Sequence, residues 1–88
     1  MSQQETARIE RSFASAGWDI DGSFTGYLVV GYSGANLSIL AHEEAWDPDD
    51  PSFELLDHQR DLTYWVREVP TPQQAALLLE EHGEPSEE

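Results

Sequence analysis

The chain contains no cysteine and no lysine, and no apolar run in it approaches the roughly 20 residues of a membrane helix. Without cysteine there is no disulfide framework, zinc-thiolate site or thiol nucleophile, and nothing in the composition speaks for an oxidising compartment. The opening stretch, MSQQETARIERSF, lacks the basic-then-apolar pattern of a secretion signal, so the expected location is cytoplasmic and membrane is excluded as a partner. For the same reason the match of Asn-Leu-Ser at 36–38 to a glycosylation acceptor has no consequence.

Positive charge is scarce. Eighteen acidic residues stand against four arginines, giving a net charge of -14 and disfavouring direct binding to nucleic acid. The distribution is uneven. Residues 1–42 net -2, 43–61 net -7, 62–79 net zero and 80–88 net -5, so two blocks hold nearly all the excess.

At 88 residues the chain is expected to be one acidic domain over 1–83 with a charged tail at 84–88. A domain of this size buries roughly 60 to 65 % of the surface its unfolded chain exposes, so its core is small. Hydrophobic residues make up 39 %, with three each of Trp, Tyr and Phe. That suffices for folding and leaves a shallow working surface in place of a deep pocket.

Ser2 and Glu5 form a capping-box pattern, and Ile9, Phe13 and Ala16 follow at helical spacing before Gly17, which predicts a helix over 3–16. Asp21-Gly22 is a turn signal. FTGYLVVGY at 24–32 and LSILAHE at 37–43 then read as antiparallel strands joined by SGAN. Two Asp-Pro steps make 45–52 a loop, because each proline removes a ladder donor and keeps the preceding residue out of helical geometry.

FELLD at 53–57 and LTYWVREV at 62–69 read as two further strands joined by HQRD, the second placing Leu62, Tyr64 and Val66 on one face and Thr63, Trp65 and Arg67 on the other. Thr71 as N-cap, Pro72 at the first helical position, Gln74 completing the box and Gly83 as C-cap predict a closing helix whose Ala75, Leu78 and Leu79 face the sheet. The expected fold is α+β in the order α-β-β-β-β-α: a four-stranded antiparallel sheet with the N- and C-terminal helices packed on one face. Its other face, with Trp65, is a candidate surface for a homodimer or another partner.

Motifs with specific chemistry are scarce. Gly26 and Gly31 have phosphate-loop spacing, but Tyr32 stands where that loop needs Lys and the stretch between the glycines is strand-like. GYSGA at 31–35 lacks the last glycine of a nucleophile elbow, and Asp19 and Asp21 lack the downstream ligands of a calcium loop. His42, His58 and His82 have no metal-ligand spacing. No catalytic, cofactor-binding or metal-binding residue is therefore assigned, and Asp47, Asp49 and Asp50 offer only weak divalent-cation ligation.

Trp18, directly after the first helix, is expected in the core. Trp46 sits within the acidic loop and has two readings, a plug that anchors the loop or an aromatic anchor ringed by charge. The leading functional expectation is a non-enzymatic acidic protein-binding module, an inhibitor occupying a basic, nucleic-acid-binding site on a partner protein. Glu43, Glu44, Trp46, Asp47, Asp49 and Asp50 are its partner-binding residues. One alternative is a small accessory or dimeric domain whose acidity is a halophilic or solubility adaptation. Another is a ligand-binding domain or enzyme with a groove beside Trp65, Tyr64 and His58.

Overall fold

The computed structural model describes residues 3–21, 26–44, 46–47 and 49–85. Ser2 and residues 22–25, on which part of the first cap and the first turn were expected, lie outside the described residues. Helix α1 (Gln3–Ala16) leads into β1 (Asp19–Ile20), followed by β2 (Tyr27–Ser33), β3 (Leu37–His42), β4 (Phe53–Asp57) and β5 (Leu62–Val66). Helix α2 (Pro72–His82) and β6 (Glu84–Pro85) complete the elements of the described residues.

The expected α+β class and antiparallel sheet are present, but the sheet has six strands, in the order β1-β2-β3-β4-β5-β6, and not four. The two additional strands are the edges. Each is two residues long, too short for alternation to show in sequence. Ile20 pairs with Gly31 on one side of the sheet, and Leu62 pairs with Pro85 on the other. Proline is tolerated at an edge because it has no donor to offer, and such short edges give little template for pairing with another chain. Residues 84–85 thus belong to the sheet, and 86–88 lie outside the described residues.

Both helices cover one face. Ile9 and Phe13 from α1 and Ala75 and Leu79 from α2 share a single core with Val29, Ile39, Ala41, Phe53 and Leu55. Helix α1 ends in a Schellman arrangement: Trp18 N–H donates to the Phe13 carbonyl at 3.0 Å, Gly17 N–H to that of Ala14 at 3.1 Å, and Gly17 has φ +109°. That reversal delivers Trp18 into the core, where its indole N–H donates to the Pro70 carbonyl at 2.8 Å and ties the exit of α1 to the entry of α2.

Helix α2 begins as its sequence dictates. The Thr71 hydroxyl accepts from Gln74 N–H at 3.1 Å, and the Gln74 side chain accepts from Thr71 N–H at 3.2 Å. Gly83 closes it with φ -60°, not the left-handed value usual for a glycine cap. Its need for glycine is steric, since a Cβ there would run into the Leu79 carbonyl oxygen.

Asp61, at the end of the β4–β5 turn, has φ +54°, a left-handed conformation that aspartate adopts more readily than any β-branched residue. Replacing Asp61 with Val is expected to cost about 1–2 kcal/mol in urea unfolding, and replacing it with Gly should be tolerated. Equal midpoints for the Val and Gly variants would show that the turn does not require this backbone.

Candidate functional site

Strict alternation along β2 would place Tyr27 with Val29 and Gly31 on the helix-covered face. A register shift between Tyr27 and Val29 reverses this, because Tyr27 pairs with His42 while Val29 pairs with Ala41. An extra residue in one strand flips every side chain beyond it to the opposite face. Tyr27 therefore joins the face without helices, and its ring lies 4.9 Å from that of His42, which lies 5.2 Å from that of Trp65.

A polar chain fixes the middle of this row. His42 Nε2 lies 2.6 Å from Glu54 Oε1, and the other carboxylate oxygen accepts from the Thr63 hydroxyl at 2.8 Å. Glu54 is in turn the direct cross-strand neighbour of Trp65. The order of groups matters chemically. In a hydrolytic triad the nucleophilic hydroxyl bonds to the imidazole, whereas here the hydroxyl bonds to the carboxylate, so the network orients rings and activates no nucleophile. Trp65 remains 46 % exposed on this scaffold.

Beside Trp65 the acidic loop begins. Glu43, Glu44 and Asp49 are exposed, and among the described residues their carboxylates have no partner. Asp47 and Asp50 are used locally: Asp47 Oδ1 accepts from Asp49 N–H at 3.0 Å, and Asp50 Oδ1 meets the Arg67 guanidinium at 2.9 Å. Asp50 and Ser52 also line a cleft of about 270 Å³ with Trp65, Val66 and Arg67. This cleft joins the loop to the exposed indole.

Trp46 is half-buried, packed on Phe53 with ring centroids 5.5 Å apart and in contact with the core. Of its two readings the packing favours the plug, and the exposed aromatic beside the loop is Trp65. Tyr64 and Trp65 lie on opposite faces, with Tyr64 stacked on His82 at 5.7 Å and His58 Nε2 2.9 Å from the Ser38 hydroxyl. Among the described residues Tyr64 therefore faces away from Trp65. Among the described residues no three acidic or imidazole groups converge as metal donors, and no helix is long and apolar enough to cross a membrane.

The expected partner-binding residues thus divide: Trp46 packs on the core, Asp47 and Asp50 are exposed but bonded locally, and Glu43, Glu44 and Asp49 are exposed with no carboxylate partner among the described residues. Tyr27, His42, Glu54 and Thr63 were not singled out by sequence as one group. Their association depends on strand register and a bulge, neither of which leaves a local motif. Compared with protein-family models, curated proteins and solved structures, the chain matches none.

Proposed function

We propose that the protein is a non-enzymatic acidic binding module that receives a basic segment of a partner protein along Trp65 and the 43–50 loop. The observation that carries this reading is the cleft that Asp50 and Ser52 of the acidic loop form with the exposed Trp65. An arginine can stack on an indole and donate to carboxylates at the same time, a combination lysine matches less well. Held by His42 and the Glu54–Thr63 chain, the indole loses little further freedom on binding. A net charge of -14 steers basic surfaces toward the module and makes the association sensitive to salt. A partner whose own basic site binds nucleic acid would be inhibited by such occupancy.

Two variants with equal charge change separate a local site from general acidity. The triple change Glu43→Gln, Glu44→Gln, Asp49→Asn should release a partner captured from host extract at markedly lower salt, while Glu80→Gln, Glu81→Gln, Glu84→Gln should leave its elution nearly unchanged. Trp65→Ala should weaken the complex by about tenfold or more. Equal effects of the two triple variants would defeat the assignment. So would loss of native far-UV circular dichroism below about molar salt, which would make the acidity a halophilic adaptation.

A further inference from the structure

A second groove lies on the helix-covered side, between α1 and Trp46, Pro51 and Phe53, with Arg67, Glu68 and Val69, which follow β5, closing it. Its volume of about 550 Å³ is within the roughly 300–1,000 Å³ of small-molecule sites. Two of the chain's four arginines, Arg8 and Arg67, line it from separate elements. Glu68 also lines it and Asp50 offsets Arg67 at 2.9 Å, so the groove is near neutral in a protein whose total is -14, and among the described residues Arg8 has no ion-pair partner. A cation set against the sign of the whole molecule creates a local field that an anion can use.

The surface beneath that charge is apolar and ordered. Ile9 and Phe53 are buried at its base, with Trp46 and Val69 half-buried beside them. Helix α1 supplies one wall through Arg8, Ser12 and Ser15, which recur at i, i+4 and i+7 alongside the core stripe of Ile9, Phe13 and Ala16. The hydroxyls of Ser12 and Ser15 add donors along the same wall. Arg67 already shares its charge with Asp50 at 2.9 Å, which leaves Arg8 as the main anchor for an incoming group.

We infer that this groove binds a small amphipathic monoanion, a carboxylate with an aromatic or medium-length alkyl body. The carboxylate meets Arg8, with Arg67 at the opposite wall, and the body covers Trp46 and Phe53. A dianion is disfavoured because its second charge would face Glu68 and Asp50. The base of the groove and its α1 wall lie on the helix-covered side, while Trp46 and Pro51 come from the acidic loop and Arg67 borders both clefts.

Octanoate, 1-octanol and octyltrimethylammonium, added to the 15N-labelled protein, separate charge from apolar contact. Octanoate should shift the amides of residues 8–16, 46, 53 and 69, and should bind about fivefold or more tightly than octanol, the increment of one solvent-exposed charge-assisted hydrogen bond. Arg8→Gln should remove that advantage. Arg11→Gln, an equal charge change on the same helix at a position that does not line the groove, should keep it. The amide spectrum of each variant reports its folding directly. Equal binding of all three probes, tighter binding of the ammonium, shifts confined to the Trp65 face, or equal losses in the two arginine variants would each overturn the assignment.

Discussion

Replacing Phe13 with Ala is expected to lower the stability by about 3–5 kcal/mol. Phe13 is fully buried, meets Phe53 edge-to-face with centroids 5.6 Å apart, and sits over Gly31 on β2. Its loss removes apolar contacts from α1, β2 and β4 together, at the centre of a core that an 88-residue chain cannot replace elsewhere. A domain of this length has roughly 4–13 kcal/mol in total, so the variant should be close to its threshold. Its thermal midpoint should drop on the order of 15–30 °C.

The same contact explains a glycine in the middle of a strand. A Cβ at Gly31 would lie 3.0 Å from both Phe13 Cδ2 and Ile39 Cγ2, closer than the core can accept without moving. Gly31→Ala alone should therefore cost about 1–3 kcal/mol by overpacking. Phe13→Leu makes room for that methyl group, so the double variant should be more stable than the sum of the two single changes implies. A calorimetric double-mutant cycle measures this coupling directly, and strict additivity would show that Gly31 is not there to admit Phe13.

These core relations were only partly legible in the sequence. The spacing of Ile9, Phe13 and Ala16 marks the buried stripe of α1, and Gly17 marks its end, because both signals are local. The Thr71–Gln74 box and Pro72 likewise locate α2, and β4 keeps its expected bounds at Phe53–Asp57. What Gly31 accommodates is not local. It requires knowing that a helix residue eighteen positions earlier lies against the strand, which only packing determines.

The candidate site was less legible for the same reason. The acidic loop and its prolines are visible as composition, and the alternation in β5 already places Trp65 opposite Tyr64. The row of Tyr27, His42 and Trp65 depends instead on the register shift in β2, which reverses the face that alternation assigns to Tyr27. Trp46 illustrates the converse. Its charged neighbours in sequence leave both a plug and an exposed anchor open, whereas its spatial neighbours are Phe53 and the core, since tryptophan in a short loop gains more by covering apolar surface than by standing in water.

Charge on β4 also has a structural use that composition hides. Asp57→Ala is expected to destabilise the fold by about 2–3 kcal/mol, a large effect for an acidic residue in so acidic a chain. Asp57 is on the inner face, 5 % exposed, paired across the sheet with Leu37 and Leu62. Its Oδ1 accepts from Gln59 N–H at 3.0 Å and Arg60 N–H at 3.1 Å, and its Oδ2 from Arg60 Nε–H at 2.9 Å. Removing the carboxylate leaves these donors without their acceptor and loosens the turn that sets the β4–β5 register.

Burial pushes the Asp57 carboxyl up, but the Arg60 backbone N–H, its guanidinium and the Gln59 N–H outweigh burial and hold it below the usual carboxylate value of 3.8. A carboxyl whose folded pKa is lowered contributes stability that is fully present above its unfolded pKa and is lost as pH falls through the folded value. Comparison with Asp57→Asn isolates this contribution from the rest of the chain. The stability difference between wild type and this variant should be constant at neutral pH and shrink below about pH 4. A difference that stays constant down to about pH 2 would mean that the charge on Asp57 contributes nothing, and that its oxygen atoms alone hold the turn.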